Sequence, residues 1–147
     1  FYPNDLHGTV VLPSIRNGLL NLFEWYQMEN TDRINNPDTP LDELETIIRY
    51  REQKLKAHFN YFVPPYPEDL LTMSGYMNLD MGQPKKARRY FELCVEYFPE
   101  SANVYDSFGD YYIAQGDTIN ALRMVQKAYE LSGSAYHKKR IAEYGAK

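Results

Sequence analysis

Two consecutive segments decide the fold: residues 68–101 read EDLLTMSGYMNLDMGQPKKARRYFELCVEYFPES, and residues 102–135 read ANVYDSFGDYYIAQGDTINALRMVQKAYELSGSA. Placed one above the other, they carry small residues and helix-ending residues at the same positions. The pairs, 34 residues apart, are Gly75 with Gly109, Gly82 with Gly116, Ala87 with Ala121, Phe91 with Val125, Cys94 with Ala128, and Pro99 with Gly133. A repeat of this length indicates stacked helical units that bury a continuous core.

Each paired position has a physical reason. Gly75 and Gly109 lie where the two helices of a repeat would approach too closely for a side chain to fit. Gly82 and Gly116 lie where the first helices end, and Pro99 ends the second helix of the first repeat. The spacing predicts helices over residues 68–81, 85–97, 102–115 and 119–132.

This pattern resembles the tetratricopeptide repeat (TPR) family over residues 68–133, with Ser74, Asn78 and Gly133 as departures from the family's preferences. The resemblance implies an all-α fold, a short right-handed superhelix of helix pairs, and a role in binding proteins. Residues 135–145 begin like a third repeat, but Lys139 and Glu143 occupy positions that should be apolar and small. We therefore expect this segment to be a C-terminal capping helix with a polar outer face.

The sequence Thr39-Pro40-Leu41-Asp42 predicts a helix start, with Thr39 as the N-cap and Pro40 in the first turn. We expect the helix over residues 40–59 to pack on the first repeat as an N-terminal cap. The proline-rich stretch at 61–67 cannot be helical and connects this helix to the repeats. The domain predicted from these features covers residues 40–147, and residues 30–39 have the composition of a linker.

Residues 1–29 have no counterpart in the repeats. A helix is predicted over residues 14–29, with Ile15, Leu19, Leu22, Phe23 and Tyr26 on one face, and Thr9–Leu12 could be a strand or an extended loop. The chain opens on Phe1-Tyr2-Pro3 without an initiator methionine, so we expect a longer protein. We expect the apolar face of the helix to be covered by the rest of the protein or by self-association.

The segment FYPNDLHGTVVLPS at 1–14 resembles the C-terminal end of α/β-hydrolases of an esterase family, in which the catalytic histidine lies on a loop before an apolar helix. The resemblance implies that residues 1–29 are the end of a hydrolase domain and that His7 is its general base. No Gly-x-Ser-x-Gly motif occurs in the chain, so it cannot complete a triad alone. An ordinary surface histidine is the alternative interpretation of His7.

TPR geometry places alternate turns of the first helices on a concave surface. The binding residues predicted there are Tyr76, Asp80, Asn103, Asp106, Ser107 and Asp110, accompanied by Thr72, Met73, Leu79 and Ile113. This surface lacks the combination of lysines and asparagines with which some TPR domains clamp carboxylate tails. We expect a protein or peptide ligand there, or packing against the chain itself or the hydrolase domain.

Composition excludes several other classes of function. The 20 acidic and 16 basic residues give a net charge of −4, which disfavours nucleic-acid binding. The three histidines are far apart and there is one cysteine, so no metal site or other cofactor is expected. Cys94 lies on the repeating apolar face and is interpreted as a core residue. No apolar run is long enough to cross a bilayer, and the sequence does not indicate a compartment.

Two hypotheses follow for function. In the first, the chain is the C-terminal TPR module of a serine esterase and is inactive alone. In the second, it is an autonomous interaction domain with no link to catalysis.

Overall fold

A computed structural model describes residues 11–34 and 36–145 of the chain. This part folds into α-helices joined by short connections, and it contains no strand. The helices are α1 (Val11–Leu22), α2 (Thr31–Ile34), α3 (Leu41–Phe59), α4 (Glu68–Asp80), α5 (Pro84–Tyr97), α6 (Ala102–Ala114), α7 (Thr118–Ser132) and α8 (Ala135–Gly145). A short 3₁₀ turn at Glu24–Tyr26 follows α1. The all-α fold class is confirmed.

The repeat helices α4 to α7 lie where the sequence predicted them, within one residue at each end. Gly82 and Gly116 follow α4 and α6 with φ of +70° and +76°, a left-handed conformation that glycine adopts without steric cost. Asp117 caps α7, because its Oδ1 accepts a hydrogen bond of 3.0 Å from the Asn120 backbone N–H. α4 packs on α5, α6 packs on α7, and α4 also contacts α6.

The helix predicted over residues 14–29 has different bounds. α1 begins at Val11, so Val11 and Leu12 are helical and not a strand or extended loop. Pro13 permits this start, since the first N–H groups of a helix have no partner within the helix. The α-helix ends at Leu22 because the chain turns there, which lets Trp25 stack on His58 of α3 with ring centroids 3.4 Å apart. Thr9 and Val10 lie outside the described residues.

The segment expected to be a linker contributes to the core. Ile34 of α2 is buried among residues of α3 and α5, and Arg33 forms a bidentate pair with Glu43 at 2.7 and 2.6 Å. The prediction that Thr39 is the N-cap of α3 was wrong, because Pro40 occupies that position without a side-chain cap. The buried Thr39 hydroxyl instead donates a 2.6 Å hydrogen bond to the Arg33 carbonyl at the end of α2.

α3 packs on the first repeat through both apolar and charged contacts. Leu44, Ile48 and Leu55 are each no more than 2% exposed. At the edge of this contact, Arg49 of α3 pairs with Glu96 of α5 at 2.6 Å. Arg49 holds the pKa of the Glu96 carboxyl below its usual value. These contacts hold α3 against the second helix of the first repeat, and its role as an N-terminal cap stays a prediction.

Arg51 of α3 ties two irregular segments to the helical core. It is 6% exposed, and its Nε donates a 2.7 Å hydrogen bond to the carbonyl of Pro65 in the proline-rich connection. Its two Nη atoms donate to the carbonyls of Gln27 at 3.1 Å and Tyr26 at 3.2 Å. The chain after α1 is therefore anchored, whereas α1 itself has no buried residue.

Two helix contacts without room for a side chain determine the geometry of the repeats. A Cβ atom on Gly75 would lie 2.8 Å from Cζ of Phe91, and one on Gly109 would lie 3.0 Å from Cγ2 of Val125. Phe91 and Val125 are fully buried and have little freedom to move. Nearby, burial raises the pKa of the Cys94 thiol to about 11, so Cys94 is a protonated core residue at neutral pH.

We expect Gly75→Ala to lower the free energy of unfolding by about 1–3 kcal/mol, because the added methyl group overpacks the contact with Phe91. Gly18→Ala in α1 is the matched control, since nothing lies within 4 Å of a Cβ there and alanine favours a helix. Urea denaturation of the two variants measures both effects. Equal stability of Gly75→Ala and the unchanged protein would contradict this account of the repeat contact.

Candidate functional site

The predicted concave residues lie on α4 and α6. We call this face the inner surface and define it by Thr72, Met73, Tyr76, Leu79, Asp80, Asn103, Asp106, Ser107, Asp110 and Ile113. The structure brings Tyr76, Asp106, Ser107 and Asp110 together, whereas the side chains of Asp80 and Asn103 are exposed. Asn103 donates a 2.9 Å hydrogen bond to Glu68. The use of these residues in binding stays a prediction.

Tyr76 joins the two repeats across the inner surface. Its hydroxyl donates a 2.8 Å hydrogen bond to Oδ2 of Asp110. Burial raises the pKa of the Tyr76 hydroxyl, and the neighbouring Asp110 carboxylate acts in the same direction. Tyr76 is therefore a neutral donor that orients the Asp110 carboxylate. The two residues occupy the same position in successive repeats, 34 residues apart.

Arg140 of α8 reaches the acidic residues of α6. Its Nη1 lies 2.6 Å from Oδ1 of Asp106, and its Nη2 donates to Oδ1 of Asp110 and to the Tyr144 hydroxyl. The guanidinium also lies over the rings of Tyr136 and Tyr144, at 5.8 and 5.1 Å from their centroids. Arg140 is only 8% exposed, so the carboxylates of α6 bind a buried cation supplied by the chain itself.

His137 lies beside the same carboxylates. His137 is 9% exposed, and its Nε2 lies 3.7 Å from Oδ1 of Asp106. Its Nδ1 lies 2.7 Å from the Ser132 hydroxyl, which also accepts a hydrogen bond from the Ser134 backbone N–H. That hydroxyl lies at the junction of α7 and α8. We therefore interpret these polar contacts as ones that hold α8 in place.

Sequence reasoning missed Arg140 and His137 as neighbours of the inner surface. A signal for Arg140 was present, because it occupies in α8 the position that Asp106 occupies in α6, one repeat length earlier. First helices of successive repeats lie side by side, so equivalent positions become neighbours. The polar residues at 139 and 143 indicate a capping helix, but they do not indicate that Arg140 of this helix contacts Asp106.

Charge is divided unequally between the helices. α4 and α6, which lie wholly within the described part of the chain, contain no lysine or arginine. Their acidic residues are Glu68, Asp69, Asp80, Asp106 and Asp110. In α5, by contrast, basic and acidic residues are mixed, and Arg88 pairs with Glu92 at 2.8 Å. The first helices of the two repeats therefore carry acidic and no basic side chains, which favours cationic neighbours.

His7, the predicted catalytic residue, lies outside the described residues. Across 11–34 and 36–145, no group of three or more histidine, cysteine, aspartate and glutamate side chains could hold a metal ion. None of the helices in the same ranges is long and apolar enough to span a membrane.

Comparison with known families identifies one segment. The family model described as "Tetratricopeptide repeat" matches residues 68–101, which form α4, α5 and the turn that follows them. No curated protein matches the chain. The matched repeat and the helical architecture support a TPR module, a class of structure that points to protein partners.

Proposed function

We propose that this chain is a protein-interaction module that binds a protein or peptide through the inner surface of its TPR repeats. The proposal rests on the part of this surface that belongs to the first repeat, where exposed acidic and apolar side chains lie next to each other. Asp80 is exposed and Met73 is 53% exposed, beside the half-buried ring of Tyr76. Such a mixture of apolar area and directed polar groups suits recognition of a polypeptide.

The charge of the surface limits the class of ligand. A TPR groove that clamps a carboxylate tail needs cationic donors on its first helices, and α4 and α6 have no lysine or arginine. An acidic tail would also be repelled by the aspartates of the two helices. We therefore propose a ligand that is neutral or basic where it meets the inner surface.

Charge reversal on the inner surface tests this proposal. We expect Asp80→Lys on the inner surface, together with Asp69→Lys one helical turn before Met73, to abolish a partner's binding, because the new lysines repel the basic groups of the ligand. Both aspartates are exposed on α4, so their replacement disturbs no core contact. Glu130→Lys is the matched control on α7, where the side chain is 66% exposed away from α4. Cross-linking mass spectrometry with the three proteins identifies bound partners. A partner recovered equally by all three would contradict binding at the inner surface.

A second proposal concerns residues 1–29. We infer that they are the end of a serine esterase domain and that the module over residues 40–147 extends that enzyme. The resemblance of residues 1–14 supports this reading, and so does α1. Leu12, Ile15, Leu19 and Leu22 of α1 are 51–78% exposed at the alternating three- and four-residue spacing of a helix that packs against another surface. Leu12, Ile15 and Leu19 also line an open apolar groove of ≈ 970 Å³.

In this reading, the His7 imidazole takes the proton of a serine hydroxyl and later returns it to the leaving group. The chain supplies no Gly-x-Ser-x-Gly nucleophile, so the serine and the oxyanion hole would come from the hydrolase domain. The module would then position a partner or substrate for that domain.

We expect the 147-residue chain to hydrolyse 4-nitrophenyl acetate no faster than free imidazole at equal concentration. A longer protein that includes a hydrolase domain should be active, and His7→Ala should reduce its turnover by several orders of magnitude, as when a triad member is removed. His58→Ala is the control, since His58 stacks on Trp25 on the module side. Near-normal turnover with alanine at position 7 would exclude His7 from catalysis and leave the interaction module alone.

A further inference from the structure

We propose that the inner surface binds an arginine-bearing basic segment of a partner protein, and that α8 competes with this segment by holding Arg140 in its place. The inference rests on the proposed interaction function and specifies its partner class and its regulation. Three observations carry it: the charge of the helices, the contacts of Arg140, and the polar character of the buried side chains of α8.

Charge complementarity identifies the chemistry of the occupant. The acidic helices α4 and α6 meet a basic helix, since α8 contains the run His137-Lys138-Lys139-Arg140. Only the last member of this run is buried against both Asp106 and Asp110. Within residues 11–34 and 36–145, α8 therefore places a basic surface and a buried arginine against the aspartates of α6.

The residues around the guanidinium of Arg140 have the features of a binding site for arginine. Two carboxylates face the guanidinium, and Tyr76 orients one of them by its hydrogen bond to Asp110. A planar guanidinium can donate two parallel hydrogen bonds to a carboxylate, which an ammonium group cannot do. Tyr76, Asp106 and Asp110 belong to the repeats and would face an external arginine in the same way.

Arg140 of α8 does not satisfy all the hydrogen-bond acceptors of this binding site. Oδ1 of Asp106 is enclosed, and although Nη1 of Arg140 lies 2.6 Å away, the contact is an ion pair without the angle of a hydrogen bond. Burial raises the pKa of the Asp106 carboxyl above its ordinary value, even though Arg140 and His137 lower it. An arginine that is free to align with Asp106 would compensate this buried carboxylate better.

The attachment of α8 leaves room for exchange. Only His137 and Arg140 of α8 are buried, and both contact polar groups, whereas α7 buries Ala121, Val125 and Ala128 in the core. α8 also packs on α7, but its own buried side chains are polar, so its separation would expose no fully buried apolar side chain of α8. An incoming segment could also extend along α4, where Asp69 and Asp80 are not covered by α8.

The experiment uses a fluorescein-labelled, acetylated and amidated peptide of residues 134–145 as the basic probe, with fluorescence anisotropy as the readout. Its targets are the full chain and the variants Arg140→Gln and Lys139→Gln. We expect Arg140→Gln to bind the peptide at least about tenfold more tightly than the unchanged chain, because the internal competitor is gone. Lys139→Gln removes the same charge from α8 at a 79% exposed position and should leave the affinity unchanged.

Two further arms test the chemistry. Adding Asp110→Asn to Arg140→Gln should abolish the gain, and a peptide with lysine in place of Arg140 should bind more weakly than the arginine peptide. If circular dichroism shows that Arg140→Gln is unfolded, Arg140→Lys replaces it, with a smaller gain expected. No gain in a folded Arg140 variant, or an equal gain in Lys139→Gln, would overturn the proposal.

The outcomes separate this inference from the proposed function. If the loss of Arg140 does not tighten binding of the peptide, but the charge-reversed α4 variant still loses a cross-linked partner, then the inner surface binds a ligand without the help of an arginine. If both experiments fail, the inner surface is not the binding site.

Discussion

The close contact between the two helices of each repeat is the constraint on which the rest of the structure depends. A glycine at 75 or 109 lets the first helix lie against a fully buried residue of the second, Phe91 or Val125. Because the same contact recurs in both repeats, α4 and α6 are held in equivalent orientations. Their equivalent side chains then form columns across the module, and the acidic surface is a consequence of this alignment.

The columns explain why α8 functions as more than a cap. Asp106 in α6 and Arg140 in α8 share one repeat position, and Tyr76, Asp110 and Tyr144 share another. The contacts from Tyr76 to Asp110 and from Arg140 to both aspartates therefore run along the direction in which repeats stack. α8 continues the stack with a polar helix, and its buried arginine offsets the negative charge that α6 presents.

The repeat helices could be predicted because glycines and other small residues recur at fixed spacing, and this spacing reflects packing within the repeats. The binding site of Arg140 was not predicted, because it depends on contacts between different helices. The repeat register nevertheless contained a signal, since Asp106 and Arg140 occupy equivalent repeat positions. The N-terminal part was predicted less well. Thr39 is a residue type that favours the N-cap position, but its hydroxyl donates a hydrogen bond to the Arg33 carbonyl. The α-helix of residues 11–22 ends earlier than predicted because the chain turns there and Trp25 stacks on His58. Both outcomes arise from tertiary contacts that local propensity does not contain.

Native-state hydrogen exchange of the backbone amides tests the account most directly, because it measures separately how each helix opens. The account predicts that amides of α4 to α7 exchange only through global unfolding, that those of α8 exchange through an opening of lower free energy, and that those of α1 exchange fastest. This order would mean that α8 can leave the aspartates of α6 while the repeats stay folded. Exchange of α8 with the same free energy as α6 and α7 would contradict the account, because Arg140 could then leave the inner surface only when the whole module unfolds.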